Sequence, residues 1–127
     1  MELITFATAI NCMDGRVQIP VIEYIKQNYR VDYVDMITEP GPNKILADND
    51  DKTVLTSIKK RVLISLDRHK SRLIFLAGHH DCAGNPADKE TQLTQIISSV
   101  NTIKFWNLDA KVLGLWVDEN WRVCDVI

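Results

Sequence analysis

Leu3 to Ile10 is an almost unbroken apolar run of strand-favouring residues, the pattern of a central parallel strand covered on both faces. After the turn at Asp14-Gly15, the spacing from Val17 to Tyr29 places Ile19, Ile22 and Ile25 on one stripe. This predicts a helix starting near Gln18, with Pro20 acceptable in its first turn. Tyr33 to Ile37 reads as a second short strand. It ends at Glu39-Pro40-Gly41-Pro42-Asn43, where two prolines and a glycine predict a loop. Asp50 and Asp51 can cap the next helix, whose apolar face is Val54, Leu55, Ile58, Val62 and Leu66 and whose basic end is Arg68-His69-Lys70. Arg72 to Ala77 predicts a third strand, and Gly78 to Pro86 a loop. Asp88 to about Trp106 predicts a third helix with Leu93, Ile96, Ile97 and Val100 as its stripe. Lys111 to Val117 and Trp121 to Val126 read as a hairpin turning at Asp118-Glu119-Asn120.

The order β-α-β-α-β-α-β-β predicts an α/β three-layer sandwich. Its mostly parallel central sheet has about five strands, the last antiparallel, with helices on both faces. At 127 residues, 46% of them hydrophobic, residues 1–127 are expected to form a single domain. In such sheets ligands gather beyond the carboxyl ends of the strands, where the topology switches direction.

Charge narrows the partners. Lys and Arg number 15 against 17 Asp and Glu without a long block of either sign, which argues against a nucleic-acid tract or a polybasic membrane surface and for a small-molecule partner. The N-terminus lacks a signal-peptide pattern, and no apolar run reaches the roughly 20 residues that span a bilayer, so a cytoplasmic protein is expected. Three cysteines in a chain of this size suggest reduced thiols free to bind metal.

Two stretches carry chemistry: Cys12-Met13-Asp14-Gly15-Arg16 and Gly78-His79-His80-Asp81-Cys82-Ala83-Gly84-Asn85-Pro86. The His-x-x-Cys spacing lets both side chains turn toward one ion, and zinc takes thiolate and imidazole in tetrahedral geometry. Cys12 follows the first strand and His79 and Cys82 the third, so all three meet at one end of the sheet. Three protein ligands leave a fourth position open, as in catalytic zinc sites.

Cys12-x-Asp14-x-Arg16 followed by His79-x-x-Cys82 within this strand-helix order resembles the β-class carbonic anhydrases. The resemblance implies Zn2+ held by Cys12, His79 and Cys82, Asp14 and Arg16 as a catalytic pair, and reversible hydration of carbon dioxide to bicarbonate. It also implies a homodimer or higher homo-oligomer. Zinc lowers the pKa of bound water from 15.7 to about 7 in a carbonic anhydrase with three histidine ligands, a different donor set from this one. Only one strand precedes Cys12, whereas typical members carry an N-terminal helical arm. Thr38-Glu39-Pro40-Gly41-Pro42-Asn43-Lys44 replaces an Arg-Asn-Ala-Gly-like stretch. Two other readings stand beside the lyase: a zinc hydrolase of carbonyl sulfide or carbon disulfide, and a non-catalytic zinc-binding homologue in which Asp14 closes the metal.

The remaining candidates have plainer roles. His80 suits a solvated or hydrogen-bonding position, and Asp81 a loop cap or a carboxylate that orients a ligand. His69 belongs to a basic helix end, Cys124 to the last strand as a structural residue, and Trp106, Trp116 and Trp121 to the core or a subunit contact.

Overall fold

The computed structural model describes residues 3–127. Along the chain come strand β1 (Phe6–Cys12), helix α1 (Gly15–Tyr29), strand β2 (Tyr33–Glu39), helices α2 (Pro42–Asp48) and α3 (Lys52–Arg68), strand β3 (Leu73–His79), helix α4 (Lys89–Phe105), and strands β4 (Lys111–Val117) and β5 (Val123–Asp125). The sheet order is β2-β1-β3-β4-β5; the first four strands are parallel and β5 is antiparallel to β4. This is the α/β architecture that the hydrophobic pattern predicts, with one additional short helix.

Strand alternation divides the interior into two cores. Ala7 and Ala9 of β1, Phe75 and Ala77 of β3, and Leu115 and Val117 of β4 pack with Val17, Val21 and Ile25 of α1. On the opposite face, Ile10, Ile74, Leu76, Val112 and Trp116 meet Leu46 of α2, Leu55, Ile58, Val62 and Leu66 of α3, and Ile96, Val100 and Ile103 of α4. Each fully buried Ile or Leu contributes about 1.5–3 kcal/mol relative to exposure. Asp51 accepts a hydrogen bond from the Val54 amide and Asp88 from the Thr91 amide, so α3 and α4 both start on a carboxylate cap. Each such cap contributes about 1 kcal/mol.

Several local expectations are corrected. Leu3 and Ile4 are exposed, and β1 begins at Phe6 and runs on to include Cys12. Helix α1 begins at Gly15 because Asp14 caps it. Its buried stripe is therefore Val17, Val21 and Ile25, and Ile19 faces outward. Pro20 then lies beyond the first turn; it has no N–H for the Arg16 carbonyl, and the burial of that stripe outweighs the missing bond. The stretch expected as a loop starts α2 instead. Pro42 occupies the first helical turn, where its missing donor has no partner to lose, after Gly41 in a left-handed conformation at φ 63°. Helix α4 buries Gln92, Ile96, Ser99, Val100 and Ile103, whereas Ile97 is largely exposed. Strand β5 is shorter than expected, which leaves Trp121 in the turn, partly buried against the α1-side core; Cys124 lies in β5 opposite Trp116 as expected, but its side chain is exposed. Trp116 is buried in the core as expected, and Trp106 is half-buried against it. Among the described residues no helix is long and apolar enough to cross a membrane.

At Gly114 in β4, a Cβ would stand 2.6 Å from Ile96 Cγ2 and 3.0 Å from Ile127 Cγ2. Gly114→Ala should therefore lower stability by about 1–3 kcal/mol, the usual penalty of overpacking a filled core, measured as a fall in the urea midpoint at constant m-value.

Candidate metal centre

Cys12 is the last residue of β1 and His79 the last of β3, two adjacent parallel strands paired through Thr8–Ile74, Ala9–Phe75 and Ile10–Leu76. The chain runs from β1 to β2 on one side and then crosses to β3 on the other side of β1, so the site lies at the topological switch point. Cys82 arrives from the turn after β3, where Asp81 takes φ 58° and the Asn85 amide donates to the Cys82 carbonyl. The ligand atoms of Cys12, His79 and Cys82 lie within 4.8 Å of one another, and all three residues are buried.

The geometry fits one tetrahedral metal ion. Two sulfurs, each about 2.3 Å from a shared zinc, would stand about 3.8 Å apart. Cys12 Sγ and Cys82 Sγ are 3.8 Å apart as free thiols. His79 Nδ1 lies 2.7 Å from the His80 carbonyl, to which it donates; this leaves the lone pair on Nε2. Nε2 is buried and makes no hydrogen bond. Such an orphaned acceptor is destabilising by about 1–3 kcal/mol unless something binds it, and a metal between it and the sulfurs would do so.

Electrostatics favour thiolate at one cysteine before metal arrives. Burial pushes the Cys12 thiol up, but the His79 ring, the peptide N–H groups of Gly41 and Asp14, and Cys82 outweigh it and bring the thiol down to about 7. Burial, and then the charge on Cys12, push Cys82 up to about 11. Burial also disfavours the His79 imidazolium, yet Cys12, the His80 carbonyl and Asp14 together push its pKa up.

Asp14 and Arg16 sit beside this cluster. The Asp14 carboxylate caps α1 through the Arg16 amide (2.9 Å to Oδ1) and accepts from the guanidinium at 3.1 Å (Nε to Oδ1) and 2.7 Å (Nη2 to Oδ2). Hydrogen bonding from Arg16, against a smaller opposing effect of burial, holds its pKa down at about 2. The same pairing pushes the Arg16 pKa further up. Asp14 Oδ2 is 3.9 Å from His79 Nε2, close to the roughly 3.3 Å that would separate two light-atom ligands of one tetrahedral zinc. The carboxylate is thus beside the His79 ring while paired with Arg16. Asp81 joins in by accepting from Arg16 through its carbonyl (3.1 Å) and carboxylate (3.3 Å), whereas His80 is exposed.

Other supporting residues are not evident in the sequence. Gln18 Nε2 donates to the carbonyls of Cys12 (2.7 Å) and Asp14 (2.9 Å), bracing the first motif. The fully buried Gln92 donates to the His79 carbonyl (2.9 Å) and accepts from Asn43 (3.1 Å). The signal for Gln92 is a polar side chain on the buried face of α4, at the i−4 position from Ile96. Gly41 and Gly84 let the two loops touch: a Cβ on Gly84 would fall 2.7 Å from the Pro40 carbonyl carbon.

Metal uptake at pH 7 would have to displace a proton from Cys82, whose thiol is pushed up to about 11. Apparent zinc affinity should accordingly rise at least about tenfold per pH unit from 7 to 9, and more steeply at lower pH, where Cys12 and His79, whose pKa is pushed up, also hold protons. Competition against a chelator indicator across pH 6–9 measures this slope. Cys82→Ser should bring bound zinc well below one equivalent by elemental analysis.

The family model described as "Putative carbonic anhydrase" matches residues 3–127. Comparison with curated proteins gives no match. Among solved structures, the chain is similar to a carbonic anhydrase from Glaciozyma antarctica (15% identity, TM-score 0.58, covering 94% of this chain and 81% of that one). It is also similar to a structure described as one of two tetrameric β-carbonic anhydrases from Sordaria macrospora (12% identity, TM-score 0.54, 98% and 81%). A third likeness is to a cysteine-to-alanine mutant of the β-carbonic anhydrase CafD from Aspergillus fumigatus (14% identity, TM-score 0.55, 97% and 90%). At these identities the structural likeness speaks for the fold, and the family model speaks for kinship. Spanned by that model from residue 3 to its last residue, this chain belongs to the carbonic anhydrase family, as a β-carbonic anhydrase-like member.

Proposed function

We propose that this chain is a zinc-dependent carbonic anhydrase that interconverts carbon dioxide and water with bicarbonate and a proton. Cys12, His79 and Cys82 hold the metal, and Asp14 and Arg16 form the catalytic pair. The observation that supports the reading is the Asp14 carboxylate, paired with Arg16 at 2.7 Å and lying 3.9 Å from the unpartnered His79 Nε2. The reading includes one domain over residues 1–127, a cytoplasmic location and a homo-oligomer; the Sordaria macrospora relatives are described as tetrameric.

A zinc ion here would supply the Lewis acidity that makes water a nucleophile near neutral pH. Two thiolates bring more negative charge than two imidazoles would, and Arg16 is the cation that compensates. Asp14 stays ionised throughout the physiological range, so its Oδ2 can only accept a hydrogen bond; the donor it orients presents a lone pair to carbon dioxide. Arg16 competes for the same carboxylate and keeps the fourth position open to water.

Stopped-flow hydration assays on fully zinc-loaded protein test the reading. Activity should rise from pH 7 to 9 with no limb from Asp14, whose carboxyl titrates near 2. Arg16→Ala should lose roughly a hundredfold in kcat with zinc retained, because Asp14 is freed to take the fourth position. Asp14→Ala should lose a similar factor with the position left open. A wild-type protein with one zinc and no hydration above buffer would overturn the lyase and leave the hydrolase or non-catalytic reading.

A further inference from the structure

Trp121 is the residue at the site that the proposed chemistry leaves without a task. It lies in the turn between β4 and β5 at φ 59°, a left-handed conformation that a bulky aromatic rarely adopts. The turn enforces it. Asp118 Oδ1 accepts from the amides of Asn120 and Arg122, both at 2.9 Å; the Trp121 amide donates to the Asp118 carbonyl at 3.0 Å; and the Asp118 amide donates to the Arg122 carbonyl at 2.9 Å. The hairpin is anchored in turn to α1, where the Tyr24 hydroxyl donates to Asp125 Oδ1 at 2.6 Å. Helix α1 carries Arg16 in its first turn.

The outcome of this bracing is a ring laid on the site. The Arg16 guanidinium carbon is 4.5 Å from the centroid of the indole, whose own centroid is 6.5 Å from that of His79. Strained backbone conformations persist where the surrounding structure over-determines them, and they cluster at functional positions. Asp81 restrains one edge of the guanidinium through its carbonyl at 3.1 Å and weakly through its 71% exposed carboxylate at 3.3 Å, and neither contact covers the face on which the indole lies. We propose that Trp121 is a positioning residue that holds the Arg16 guanidinium on Asp14 and so keeps Asp14 off the metal position. The second half of this rests on the reading of Cys12, His79 and Cys82 as zinc ligands; the first half does not.

The test compares the full-length wild type with Trp121→Gly and Trp121→Phe. Glycine suits the left-handed turn, so Trp121→Gly removes the ring without straining the hairpin, and Phe retains an aromatic face. Phenylglyoxal labelling of Arg16, followed by peptide mass spectrometry on protein as purified, reads the contact directly. Trp121→Gly should label about three to ten times faster than wild type, the effect of losing one cation–π contact, and Trp121→Phe should label like wild type. On zinc-loaded protein, Trp121→Gly should surrender metal to chelator more slowly than wild type, because the released Asp14 becomes a fourth ligand. A merely structural role would instead loosen the site and speed release. Equal labelling of wild type and Trp121→Gly, or unchanged or faster zinc release from Trp121→Gly, would overturn the proposal. Neither readout uses carbon dioxide, so a zinc-loaded wild type without hydration activity would sink the enzymatic reading and leave this comparison standing.

Discussion

The parallel pairing of β1 with β3 is the constraint on which everything else depends. Their register carries Cys12 and His79 to the same end of the sheet with no strand between them. Because β1 connects outward to β2 while β3 lies on its other side, the helices that follow diverge and leave the strand ends uncovered. Ala7 and Ala9 are small where α1 packs on the sheet, and α1 in turn delivers Asp14 and Arg16. A slip of one residue in β1 would turn Ala7 and Ala9 to the wrong core and Cys12 away from His79.

Polar side chains hold the ligand loop in place against this rigid end. Asn43, Asn85, Gln92, Gln95 and Ser99 form a chain of amides and a hydroxyl between α2, α4 and the loop. Each bond is individually modest, about 1 kcal/mol, but leaving one of these groups unpaired in the interior costs more than the bond contributes. The segment from Pro40 to Asn43 therefore acts as scaffold. The Gly41 N–H favours the Cys12 thiolate while Gly84 packs against Pro40, so Cys12 and the loop that carries Cys82 share one support.

Much of this was legible in the sequence, for reasons that particular residues make clear. Strand β4, the capped start of α3 and the extent of α4 follow from strong local signals: a strand-favouring run, Asp51, and Asp88. The meeting of Cys12, His79 and Cys82, whose ligand atoms lie within 4.8 Å of one another, follows from their places at two strand ends and from the His-x-x-Cys spacing. Local pattern failed where capping or tertiary contact decides. Asp14 starts α1 earlier than the isoleucine stripe suggests, and turns Ile19 outward. Pro42 reads as a breaker but serves as a helix start, because only the position of a proline within a helix distinguishes the two roles. Trp121 was legible as an aromatic but not as the cover of Arg16, since that contact joins residues 105 positions apart through a strained turn.

Asp14 links local folding to chemistry in a way that constrains both. Its Oδ1 accepts the Arg16 amide that opens α1, and the same carboxylate receives the Arg16 guanidinium. Fraying of the first helical turn and dissolution of the charged pair are therefore coupled: the helix terminus cannot open without loosening the Arg16 contact. An asparagine at this position would keep the cap and forfeit the charge, separating two duties that a single acidic group performs here.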